Sequence, residues 1–81
     1  MTKDQFIAYA HEYLSPSGLE GLFEMIDEFN GEVARFGDGG PGSLLRLRAE
    51  IMKVHRIERQ LARLEGREPR KDFGFRVRMP S

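Results

Sequence analysis

The sequence predicts a mainly α-helical fold: a short N-terminal helix, a helical hairpin, and an extended or β-like C-terminal tail. Apolar residues recur every three or four positions without a miss from Leu19 to Phe36, and residues 43–66 are a proline-free run of strong helix formers. After Gly66 the apolar period drops from about 3.6 residues to about 2. The alternative is an α+β fold with short strands at 32–36 and 73–79.

Thr2 and Gln5 have the spacing of a capping box, and Phe6, Ile7, Ala10, Tyr13 and Leu14 share one face of a helix over 3–14. Ser15 precedes proline, which disfavours the helical conformation there, so a second helix is expected to start at Pro16 with Ser15 as its N-cap. Along 16–36, Leu19, Leu22, Ile26, Phe29, Val33 and Phe36 form a narrow seam suited to packing on another helix. Asn30-Gly31 interrupts it with a strong hairpin signal, and "EVARF" at 32–36 is the strand alternative. The seam stays in register through Phe36, which favours the helix.

Residues 37–42 are a glycine-rich loop, and Ser43 is placed to cap a third helix over 43–66. Leu44, Leu47, Ile51, Val54, Ile57, Leu61 and Leu64 line its apolar face. At about 100° per residue Arg48, Arg56, Arg59, Arg63 and Arg67 fall opposite, with Leu45 and Met52 among them. Glu50, Glu58 and Glu65 border the apolar stripe. In the tail, 67–81, Phe73, Phe75, Val77 and Met79 alternate with Gly74, Arg76 and Arg78, the pattern of a half-buried strand. A lone strand is unstable, so it must pair with 32–36, with its own copy or with a partner sheet, or else lie along the helices.

Eighty-one residues allow a thin core and little room for a deep catalytic cleft. With no cysteine, disulfides and thiolate metal sites are excluded. No apolar run approaches the roughly 20 residues that span a bilayer, and a cytoplasmic location is the expectation. The zero net charge conceals a division: residues 1–41 carry two basic and eight acidic residues, about −6, and residues 42–81 carry eleven basic and five acidic, about +6.

The glycines of "GDGGPGS" raise the question of a phosphate site. A P-loop needs Lys followed by Ser or Thr after its last glycine; here Gly42 is followed by Ser43, Leu44 and Leu45, and Asp38 would repel a phosphate. The stretch reads as a corner. His11 and His55 lie on separate segments, and His55 with Glu58 reverses the Glu-x-x-His order of carboxylate metal sites. No metal, cofactor or small-molecule substrate is expected, and no enzyme.

Two surfaces remain. Arg48, Arg56, Arg59, Arg63, Arg67, Arg70, Lys71, Arg76 and Arg78, with Leu45, Met52, Phe73 and Phe75, make a basic surface of the residue types that dominate protein interfaces. Glu20, Glu24, Asp27 and Glu28 make an acidic second surface, read either as a solvated face or as a dock for a basic partner. The leading expectation is a noncatalytic protein-binding module, an inhibitor or adaptor, docking an acidic partner surface or a second copy. Small inhibitors and assembly factors of bacteria and phages have this profile. The alternative is a nucleic-acid-binding protein that uses the basic half and stacks bases on Phe73 and Phe75.

Overall fold

A computed structural model describes residues 1–40 and 42–79. They form three helices, α1 (Lys3–Tyr13), α2 (Glu20–Phe36) and α3 (Ser43–Glu65), and no strand occurs among them. The predicted loop includes Pro41 and the predicted tail includes residues 80–81, all outside the described residues.

The capping box at the start of α1 is formed: the Gln5 N–H donates to Thr2 Oγ1 at 3.1 Å, and the Thr2 N–H donates to Gln5 Oε1 at 2.9 Å. The predicted start of the second helix at residue 16 is corrected to Glu20. Ser15 does cap a turn, its Oγ accepting from the Gly18 N–H at 3.1 Å and its carbonyl from the Leu19 N–H at 3.0 Å. That turn is folded tightly on the end of α1, where a Cβ at Gly18 would collide with the carbonyls of Glu12 and Tyr13. Close approach of two backbones sets this corner, and periodicity does not report it.

α2 runs through Asn30-Gly31 without a break, which removes the strand at 32–36. Glycine inside a helix costs about 1 kcal/mol relative to alanine. Burying Val33, which is 6% exposed, recovers about 1.5–3 kcal/mol, so the helix wins. α2 and α3 form the predicted hairpin, in which Ile26, Phe29 and Val33 pack with Leu47. A second cluster joins α1 to the later part of α3 through Ala10, Leu14, Leu19, Val54, Ile57 and Leu61. α3 is therefore the central element, and the molecule is elongated, 45 × 20 × 19 Å.

Two ends of the predicted seams are corrected. Phe36 is 69% exposed, because Leu44 and Leu47 complete the cluster around Phe29 and Val33 and α2 ends one turn beyond it. Met79 is 64% exposed, so the inward alternation of the tail stops at Val77.

The glycine-rich loop is a corner closed on itself. Asp38 Oδ1 accepts the Gly40 N–H at 3.0 Å, and the Ser43 hydroxyl donates to the Gly39 carbonyl. Gly42, not Ser43, is the N-cap of α3. Gly39 lies against the ring of buried Phe29, where any Cβ would overlap the aromatic carbons. The glycine there is required by packing.

The tail lies along the helices without forming a strand. Phe73, Phe75 and Val77 are half-buried against the two clusters, and Phe75 borders both. Asn30 supplies what a neighbouring strand would: its Nδ2 donates to the Arg76 carbonyl at 2.6 Å, and its Oδ1 accepts the Arg78 N–H at 2.6 Å. One side chain thus satisfies two backbone groups of extended chain. Replacing Asn30 with alanine removes both bonds, worth about 1–2 kcal/mol together. Tryptic cleavage after Arg76 should then accelerate about tenfold under native conditions, with circular dichroism unchanged.

Candidate functional site

The site is built on α3 because both neighbouring helices pack on one side of it. With Leu47, Val54, Ile57, Leu61 and Ala62 buried, the helical period turns residues 45, 48, 52, 56, 59 and 63 outward. Leu45 is 72% exposed and Met52 67%, and Arg48, Arg56, Arg59 and Arg63 are all exposed. No acidic group lies within 4.0 Å of these four arginines among the described residues. Met52, His55, Arg56 and Arg59 line a shallow depression of about 260 Å³. Among the described residues the face is thus a row of unpaired cations with two apolar side chains standing among them.

The structure withdraws Arg67 and Arg70 from this row. Gly66 adopts a left-handed conformation, φ 69°, and the Arg67 N–H reaches back to the Ala62 carbonyl at 3.0 Å, reversing the chain over the last turns of α3. Both arginines then converge on Glu58, whose side chain is fully buried. Arg67 donates to its two carboxylate oxygens at 2.9 and 3.2 Å, and Arg70 donates to Oε2 from its backbone N–H and its Nε, each at 3.1 Å. Burial alone would push the carboxyl up, but the hydrogen bonds from Arg67 and Arg70 outweigh it and hold Glu58 at about 2. Arg67 also donates to Glu65 at 2.8 Å, and His11 Nε2 lies 2.7 Å from the other Glu65 oxygen. Hydrogen bonds from His11 and then Arg67 keep the Glu65 carboxyl below its ordinary value. Arg67 and Arg70, expected on the binding face, pair with a buried charge and fasten the tail, while their side chains stay 37% and 54% exposed.

The aromatic pair is also reassigned. Phe73 lies between the Arg70 guanidinium, 4.6 Å from its ring centroid, and the His55 ring at 5.1 Å. Phe75 packs on Phe23 at 5.2 Å. Both rings are half-buried against the helices. Lys71, Arg76 and Arg78 stay exposed, with Arg76 Nη1 3.8 Å from Asp72.

The acidic surface lies on the back of α2. Glu20, Glu24, Asp27 and Glu28 are exposed, and none is within ion-pair distance of a cation among the described residues. Because α2 buries Ile26, Phe29 and Val33 against α3, these carboxylates and the α3 arginines lie on opposite outer sides of the hairpin.

No family model, no curated protein and no solved structure matches this chain. No described helix is long and apolar enough to cross a membrane, and no group of three or more His, Asp or Glu residues placed to hold a metal ion occurs among the described residues.

Sequence reasoning missed Glu58 and Asn30 as working residues. Glu58 carried a signal, since a glutamate inside the apolar arc of a helix requires a cation. Asn30 carried only the ambiguous Asn-Gly pair.

Proposed function

We propose that the chain is a small noncatalytic protein-binding module, an inhibitor or assembly component, whose contact surface is the outer face of α3. The observation that carries this reading is the exposure of Leu45 and Met52 within a row of four arginines that have no partner among the described residues. Residues 45, 48, 52, 56, 59 and 63 follow one another in steps of three and four, the stripe that one helix offers to another. Arginine and methionine are enriched in interface cores, and unpaired guanidiniums favour carboxylates on the other side. The partner surface is therefore acidic with small apolar hollows. Arg76 and Arg78 extend the basic area onto the tail. Cytoplasmic residence fits the reading and adds nothing to it.

Two observations weigh against nucleic acid as the partner. Phe73 and Phe75 are half-buried against the core, and the acidic back of α2 opposes approach to phosphate. Affinity capture from nuclease-treated host extract tests the reading. The double variant Arg59→Glu, Arg63→Glu is expected to lose the captured protein while its helicity is unchanged. Capture that survives the reversal, or that disappears on nuclease treatment of the wild type, would refute it.

A further inference from the structure

The chain carries a surface of the chemistry that its own arginine face would recognise. Four carboxylates on the back of α2 and four guanidiniums on the outer face of α3 have no ion-pair partner among the described residues. At 1.5 Å per residue, Glu20 to Glu28 covers about 12 Å, and three of the four arginines, Arg56, Arg59 and Arg63, cover about 10 Å, with Arg48 about 12 Å further along α3. The two sets cannot neutralise one another within one molecule, because they lie on opposite sides of the hairpin.

The acidic back has a second property. α2 carries glycine at Gly21, in its first turn, and at Gly31, in its interior, where glycine destabilises a helix relative to alanine. A Cβ at Gly21 would meet nothing within 4 Å, and one at Gly31 would meet only the Arg35 guanidinium at 3.9 Å. No contact among the described residues requires either glycine. A helix face lacking side chains at these points gives room to side chains that stand proud of another surface, as Leu45 and Met52 do on α3.

We infer that the chain associates head to tail with further copies of itself, the acidic back of α2 in one copy seated on the arginine face of α3 in the next. The inference rests on the reading of α3 as a docking surface and names its partner. The joined faces differ and point in opposite directions, so each added copy leaves one free acidic face and one free basic face. Such a contact is heterologous and propagates into chains, where a symmetric dimer would stop at two. Exposed ion pairs are weak individually and are screened by salt, so the assembly forms at low ionic strength and comes apart at high.

Sedimentation velocity of the full chain at about 20 mM and about 500 mM salt, where the screening length differs several-fold, provides the test. The wild type is expected to sediment faster as concentration rises at low salt, beyond the dimer, and to return to monomer at high salt. Neutralising one face with Arg59→Gln, Arg63→Gln, or the other with Glu24→Gln, Asp27→Asn, should weaken self-association about tenfold while the circular dichroism spectrum stays unchanged. Mixed in equal amounts at low salt, the two variants should form a 1:1 complex that does not grow, because each keeps one working face. A wild type that stays monomeric at low salt, one that stops at a dimer, or a mixture that stays dissociated overturns the inference. A monomeric wild type that still loses a host partner on reversal of Arg59 and Arg63 overturns this inference alone and leaves the proposed docking face standing.

Discussion

Replacing Glu58 with glutamine should lower stability at pH 7 by about 3 kcal/mol and flatten the acid side of the pH–stability curve. The carboxyl is held at about 2 in the folded chain against 4.5 for a free glutamate, and each tenfold change in proton affinity corresponds to about 1.4 kcal/mol. Because the folded value lies below the unfolded one, the stabilisation is complete above about pH 4.5. It is lost progressively as pH falls toward 2. The Arg67 and Arg70 side chains are 37% and 54% exposed, and solvent screening makes 3 kcal/mol an upper figure. A chain of this length has roughly 4–12 kcal/mol of stability in all, so even two-thirds of that effect is large. Urea unfolding at pH 7, 5 and 3 measures it: the wild type loses stability between pH 5 and 3, and Glu58→Gln, already weaker at pH 7, loses much less. Parallel curves for the two proteins would show that the buried carboxylate is not held by its arginines.

Leu61→Ala should cost about 3–4 kcal/mol, the usual loss for a buried leucine whose cavity cannot collapse. Leu61 is 1% exposed and sits where α1 meets α3, in the cluster with Ala10, Leu14, Val54 and Ile57. Leu45→Ala on the same helix is the matched contrast. At 72% exposure it should change stability by less than about 0.5 kcal/mol, yet weaken partner capture. Thermal or urea unfolding of the two variants separates the buried leucine from the exposed one proposed to meet a partner. Equal destabilisation would mean that Leu45 is packed within the chain.

The helices were legible because their information is local. The capping box at Thr2, the 3–4 spacing through Ile26, Phe29 and Val33, and the stripe from Leu47 to Leu61 each report on neighbours within a few turns. The start of α2 was not, since it depends on how closely Gly18 approaches the end of α1. The tail was half legible: its alternation placed Phe73, Phe75 and Val77 inward, but its partner is a side chain 46 residues away in the sequence. The exposure of Arg48, Arg56, Arg59 and Arg63 was legible, since their direction follows from helix period alone. The pairing of Arg67 and Arg70 was not legible, because the reversal at Gly66 folds them onto a glutamate nine and twelve residues earlier. A helical wheel extended past a C-terminal glycine misplaces whatever follows it.

The central claim is that the outer arginines of α3 face a partner while Arg67 and Arg70 serve the fold. Arginine-selective chemical labelling read by mass spectrometry, on the free chain at high dilution and on its captured complex, tests it most directly. In the free chain Arg56, Arg59 and Arg63 should label quickly, and Arg67 and Arg70 slowly. In the complex Arg56, Arg59 and Arg63 should become protected, with Arg67 and Arg70 unchanged. Unaltered labelling of Arg56, Arg59 and Arg63 in the complex, with protection appearing elsewhere on the chain, would contradict the account.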